Sequence, residues 1–173
     1  VSAAESGHLP VRADEFYLRD WTDDMRNILE PVASSHSVRL VWRFPDDEEL
    51  RLRTDQTRLT QILLNLAHNA IKFGGAGTSV EISIACDGGG FAMSVDDQGP
   101  GVPPDRLGGL FGEFAQSQAC APAFDRGVGL GLAVVNQNAT LLGGGVQAEN
   151  LPARGMRFTF SLPASAGIFV CEP

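Results

Sequence analysis

Basic residues are in short supply in this chain of 173 residues, with 13 lysines and arginines against 21 aspartates and glutamates. The net charge of −8 opposes non-specific binding to nucleic acid or anionic lipid, because either partner needs a basic surface to displace its counterions. Any phosphate ligand must therefore be held locally, by a few placed groups. No run of 18 apolar residues occurs, and the start of the chain, where Glu5 precedes the first basic residue Arg12, lacks the basic-then-apolar order of a signal peptide. The segment reads as soluble, with no membrane contact of its own. Cysteine is sparse as well. Cys86, Cys120 and Cys171 are odd in number, far apart and without CxxC or His-rich neighbours, which argues against a disulfide framework and a zinc site and fits a reducing cytoplasm. Also missing are a GxxxxGK[ST] phosphate loop, internal repeats and low-complexity tracts.

What remains is 43% apolar and suits one compact α/β domain better than two. Residues 1–15 are polar and aperiodic and read as a linker, residues 16–163 as the domain, and residues 164–173 as a short tail. Between Tyr17 and His36 the apolar positions Leu18, Trp21, Met25, Ile28, Leu29 and Val32 recur at helical spacing. Val38, Leu40, Trp42 and Phe44 alternate with polar residues as in a half-buried strand, and a short strand is expected near Arg51–Arg53. Thr54 or Asp55 can cap a second helix, whose face is Leu59, Ile62, Leu63, Leu66 and Ala70. Two alternating runs around DGGG describe an antiparallel hairpin, Val80 to Cys86 and Phe91 to Val95. A third helix is expected from Leu130 to Leu142, stopped by Gly143 and Gly144, followed by strands at Val146–Glu149 and Met156–Leu162. With hairpins beside helices and little βαβ repetition, the fold class is a two-layer α/β sandwich, a mixed and mostly antiparallel sheet packed on three helices.

Three segments carry polar groups where a purely structural element would not need them. In NLAHNAIKF, Asn65 and Asn69 lie one helical turn apart, with Gln61 a turn before and Lys72 close to a turn after, forming a polar stripe beside the apolar face. Asparagine is a poor helix former, its carbonyl oxygen is a hard ligand suited to Mg²⁺, and lysine offers a point charge for phosphate. In DDQGPG, counting by two from Phe91, Met93 and Val95 aims Asp97 at the apolar side and Asp96 toward solvent. A carboxylate so placed needs strong hydrogen bonds, while Gly99 and Gly101 let a ligand approach the main chain. In GVGLGL, alternate glycines run into a helix whose unpaired first amides suit a polyphosphate, although the spacing is not the dinucleotide fingerprint. Each segment alone also reads as structure: a solvated helix face, a loop with a capping Asp, a tight packing turn. The aperiodic FAQSQACAPAFDR between the last two resembles a mobile loop or lid.

In this order the segments resemble the ATP-binding catalytic domain of sensor histidine kinases, a Bergerat-fold member of the superfamily that includes DNA gyrase and MutL. RLTQILLNLAHNAIKF is similar to the N box, DDQGPGVP to the G1 box, LFGEF to the F box, GVGLGL to the G2 box, GMRFTFSLP to the closing strand, and EFYLRDWTDDM to the segment opening such domains. The resemblance implies that Asn69, together with Asn65, holds Mg²⁺, that Lys72 meets phosphate, and that Asp97 accepts the adenine amino group beside Gly99 and Gly101. It implies further that Gly127, Gly129 and Gly131, with Leu130 and Leu132 of the same segment, place helix amides at the phosphates. Phe111 and Phe114 would anchor the lid, and Arg126 would approach the γ-phosphate. Departures from the pattern are Val128 where Thr is frequent, Gly112-Glu113 in place of Glu-Pro, and Gly108 and Gly109 in the short helix before the F box.

The expected function is transfer of the ATP γ-phosphoryl to a histidine on a separate dimerisation domain, with a response regulator or receiver domain downstream and the isolated domain monomeric. His8, His36 and His68 all lack the surroundings of a phosphoacceptor, so the chain is expected to be a piece of a larger kinase, cytoplasmic or the cytoplasmic part of a membrane-anchored sensor. Two alternatives stand beside it. A slow ATPase is disfavoured by Asn65, since an amide cannot serve as a general base for water. A nucleotide-binding sensor or scaffold without transfer activity fits the departures.

Overall fold

The fold is that of a computed structural model describing residues 10–88, 90–111, 128–166 and 169–170. Strand β1 (Asp14–Tyr17) leads into helix α1 (Leu18–Ser35), strands β2 (Arg39–Arg43) and β3 (Arg51–Thr54), and helix α2 (Gln56–Gly74). The hairpin β4 (Ser79–Asp87) and β5 (Gly90–Asp96) follows, then a short 3₁₀ helix at Pro104–Gly109, helix α3 (Val128–Leu141), and strands β6 (Gly145–Asn150), β7 (Met156–Leu162) and β8 (Phe169–Val170).

The main sheet has the order β2-β4-β5-β7-β6 and is antiparallel except for the β2–β4 pair. Its inner face is continuous. Val80, Ile82 and Ile84 of β4, Phe91, Met93 and Val95 of β5, and Phe158, Phe160 and Leu162 of β7 are all buried against the helices. From α2 the predicted face of Leu59, Ile62, Leu63, Leu66 and Ala70 closes the same core, and α1 adds Trp21, Met25 and Leu29. Trp21 Nε1 donates to Thr60 Oγ1 at 2.9 Å, so the largest buried ring of α1 also satisfies its one polar atom against α2.

At two places the structure departs from what the sequence leads one to expect. Residues 14 and 15 read as linker, yet β1 begins at Asp14, pairs with β3 along Asp14↔Thr54 to Tyr17↔Arg51, and belongs to a second, three-stranded sheet β1-β3-β8. Residues that read as a tail return to that sheet, with Leu52 opposite Phe169 and Arg51 opposite Val170. Both strands are too short for an alternation to be read from sequence. The second departure concerns Asp96. It faces away from the core as expected, but it is held rather than free: Arg157 Nε and Nη2 donate to its two oxygens at 2.8 and 2.6 Å, leaving its side chain 18% exposed.

Asp55, and not Thr54, caps α2. Its Oδ1 accepts the Arg58 amide at 3.1 Å, while Oδ2 accepts the Arg12 amide at 3.0 Å and faces Arg58 Nε at 3.4 Å. Replacing Asp55 by Ala is expected to remove about 2 kcal/mol, the upper end of cap effects, because three partners are lost with it. Differential scanning calorimetry should show a midpoint lowered by roughly 4–8 °C for a domain of this size. A fall of under about 1 °C would show that the cap is dispensable.

Candidate functional site

Helix α2 buries one face and leaves its polar stripe at the margin: Asn65 and Asn69 are half-buried, while Gln61, His68 and Lys72 are exposed. The first turns of α3 lie beside that margin. A Cβ added at Gly131 would stand 3.7 Å from Asn65 Oδ1, so α3 approaches Asn65 closely. Because α3 starts at Val128, Gly129 falls within its opening turn, where main-chain amides have no partner inside the helix, and Gly131 follows directly after it.

Asp97, 4% exposed, stands one residue beyond β5. Its main chain continues the ladder through Asp97 N to Met156 O at 2.9 Å. Its Oδ1 accepts the amides of Gly99 at 2.8 Å and Met156 at 3.2 Å, bonds that leave Oδ2 as the second acceptor. Burial pushes the Asp97 carboxyl above its ordinary range; the two main-chain hydrogen bonds pull it back, and the neighbouring Asp96 charge adds to the rise. The inward aim expected from strand parity is the aim this side chain has.

The turn after Asp97 is seated on the end of α2. A Cβ at Gly99 would fall 2.6 Å from the Phe73 carbonyl oxygen, a contact no side chain can make, so glycine is required for the two main chains to meet. Asn150 holds the other end of the turn, accepting from Val102 N at 3.0 Å and donating to Val102 O at 2.7 Å, and Arg154 Nε donates to Gly99 O at 3.3 Å. Lys72 and the Asp97 turn are thus joined through Phe73 and Gly99.

The structure also gives parts to residues for which the motifs imply none. Gly155 packs so closely on the Asp97 carbonyl that an added Cβ would lie 1.9 Å from it, and its φ of +100° excludes most other residues. Asn138 of α3 is 4% exposed, and Asn150 ends β6. For Asn138 a signal exists: it shares a helical face with Val135, Ala139 and Leu142, an unusual place for an amide. Of the expected residues, Phe111 packs edge-on against Phe158 at 6.0 Å and Leu132 is buried in the core. The main chain of Leu130 lies in the first turn of α3. Phe114, Arg126 and Gly127 lie outside the described residues.

Comparison with known proteins finds sensor kinases and the same fold. The autoinducer 2 sensor kinase/phosphatase LuxQ of Vibrio parahaemolyticus is 31% identical over 94% of this chain, which spans 20% of that protein. The sensor protein GacS of Pseudomonas syringae pv. syringae is 34% identical over 93% of the chain, again spanning less than a fifth of the relative, 18%. Among solved structures, full-length ShkA in complex with AMPPNP superposes with a TM-score of 0.74 at 32% identity, covering 90% of this chain and 32% of that one. The catalytic domain of histidine kinase ThkA superposes with a TM-score of 0.72 at 26% identity, covering 88% of this chain and 97% of the other, so the described fold is the α/β Bergerat fold of such domains. The family described as histidine kinase-, DNA gyrase B- and HSP90-like ATPases matches residues 54–166, from the end of β3 to the 3₁₀ turn after β7. That match takes in α2, the Asp97 turn and α3 together, and the chain belongs to that family.

Proposed function

We propose that this chain is the ATP-binding catalytic domain of a two-component sensor histidine kinase, delivering the γ-phosphoryl group to a histidine on a separate dimerisation domain. The observation that carries this reading is the buried Asp97, with one oxygen tied to two main-chain amides and its turn seated through Gly99 on the end of the amide-bearing α2. An ionised carboxylate there is an acceptor suited to the exocyclic amino group of adenine. The names of LuxQ as a sensor kinase/phosphatase and of ShkA as a complex with AMPPNP support a kinase and an ATP ligand, and the complex of ThkA with response regulator protein TrrA supports a response regulator as downstream partner.

Each group in the cleft has a separate task. Asp97 selects and orients the base, and the Gly99 turn lets the main chain approach its edge. Lys72 lies exposed at the end of α2, where its ammonium can balance phosphate charge, and the opening amides of α3 add the positive end of a helix dipole. Among the described residues no group of three His, Cys, Asp or Glu side chains is arranged to hold a metal, so a divalent ion would rest on the amide oxygens of Asn65 and Asn69 together with phosphate oxygens. These half-buried neutral oxygens fit Mg²⁺, which when bound would neutralise charge on the transferred group. Transfer then breaks the bond from the γ-phosphorus to its bridging oxygen as a P–N bond forms in line with it, so positioning supplies most of the catalysis. Asn65 cannot accept a proton from water at neutral pH, which favours transfer to a histidine over hydrolysis.

Thermal unfolding with ATP, with and without Mg²⁺, tests the site, because a ligand that binds only the folded state raises its stability by about 2.7 kcal/mol at a hundredfold excess over Kd. The wild type should shift with ATP and shift further with Mg²⁺. Asn69→Ala should keep the first increment and lose most of the second. Indifference of the wild type to nucleotide would overturn the reading. Incubation with labelled ATP and a histidine-bearing dimerisation domain then tests transfer: label on that domain supports the kinase, and binding without label supports a nucleotide sensor.

A further inference from the structure

We propose that Asn138 is a positioning residue that fixes the register of α3 on α2, and thereby the height of the α3 amides above Asn65. The inference rests on the nucleotide reading of the cleft given above. Asn138 is 4% exposed and uses both ends of its amide: Oδ1 accepts from Arg58 Nη1 at 3.0 Å, and Nδ2 donates to Gln61 Oε1 at 3.0 Å. Arg58 is itself held against Asp55 at 3.4 Å, with side chains only 14% and 10% exposed, so the clamp is anchored to the cap of α2.

The clamp and the cleft lie on the same helix pair. Gln61 is one turn before Asn65 on α2, and Asn138 is two turns after Gly131 on α3. Since Asn138 meets Arg58 and Gln61 while Gly131 meets Asn65, the helices run antiparallel, and the two contacts belong to one interface. Among the described residues, Ile62, Leu66, Val135, Ala139 and Leu142 of these two segments are buried apolar neighbours in the same core. Apolar side chains can slide past one another at little cost, whereas a buried amide with two directional partners cannot shift by a turn without leaving them unpaired. A single buried polar group setting register between helices is a known physical device. Here it sets where the glycine-led start of α3 stands relative to the α2 amides, which are the phosphate side of the cleft. Asp97 and the base side are held instead by β5, β7 and the Gly99 turn, and are independent of the clamp.

That separation supplies the test. In Asn138→Leu, a near-isosteric change, the domain should stay folded, and isothermal titration should show ATP affinity reduced about tenfold, the scale of one phosphate hydrogen bond lost. Adenosine, which needs only the base side, should bind within about twofold of wild type. Asn138→Asp, which keeps the acceptor for Arg58, should recover most of the ATP affinity. Gln61→Leu removes one arm of the clamp from an exposed position and guards against a variant that fails to fold; it should shift ATP affinity in the same direction by less. Equal losses for ATP and adenosine, or no loss for either, in folded variants would overturn the proposal. If the wild type binds neither ligand, the functional reading itself falls.

Discussion

Asp97→Asn is expected to remove ATP binding while leaving the domain folded. Taking the place of the carboxylate, the asparagine oxygen accepts the amides of Gly99 and Met156, which forces the new NH₂ group toward the cleft. There it meets the amino group of adenine donor to donor. A charge-assisted hydrogen bond is lost and a buried donor is left unpaired, together about 3–4 kcal/mol, or two to three powers of ten in Kd. Titration calorimetry checks this, and a variant that binds ATP within about tenfold of wild type would remove Asp97 from the site.

Stability should move the other way. The folded carboxyl lies above its ordinary value of 3.8, chiefly through burial. Its contribution to stability is therefore present in full below the unfolded pKa and is lost as pH rises through the folded one. Asparagine carries no such loss. At pH 7 the ligand-free variant should be at least as stable as wild type in urea, with the difference closing as pH falls toward the unfolded value. Nucleotide affinity of the wild type should fall on the same acid side, because a protonated Oδ2 no longer accepts.

The second large effect lies at Gly155, a position that makes no contact with nucleotide in this reading. A Cβ there would stand 1.9 Å from the Asp97 carbonyl oxygen, 2.7 Å from its carbon and 3.0 Å from Gln98 Cα, all of them main-chain atoms. No rotamer relieves such an overlap, and φ of +100° adds strain of its own. Either the Asp97 turn or the β6–β7 connection must move, breaking the Asp97 N–Met156 O or Leu151 N–Gly155 O bond. Gly155→Ala should cost about 3–5 kcal/mol, a large part of the 5–15 kcal/mol typical of a domain, and weaken ATP binding by displacing Asp97. Gly145→Ala is the control, since nothing lies within 4 Å of its Cβ and it should stay within about 0.5 kcal/mol of wild type. Urea unfolding of the three proteins decides the matter; a Gly155→Ala that melts with the control would show that the turn yields easily.

Much of the cleft is legible in the sequence because its parts obey local periodicity. The 3.6-residue period puts Leu59, Ile62, Leu63, Leu66 and Ala70 in the core and leaves Asn65 and Asn69 at the margin, and the two-residue period aims Asp97 inward. What stays hidden has no period to show. Strands β1 and β8 have four and two residues, and their pairing with β3 joins segments far apart in the chain. Parity aims Asp96 correctly, yet its partner Arg157 lies 61 residues away. Gly155 opens the closing-strand motif, but nothing local says why glycine is needed there, since the atom it must avoid belongs to Asp97.

The amino-acid sequence alone determined which side chains face the core, which stretches are helical to within a residue or two, and which polar groups are left over. Tertiary structure alone decided that Gly99 rests on Phe73, that Gly155 backs Asp97, and that Asn138 reaches Arg58 and Gln61. The reason is physical: orientation along a helix or strand follows from backbone geometry repeated residue by residue, whereas a close approach between distant segments depends on how whole elements pack, which no local window contains.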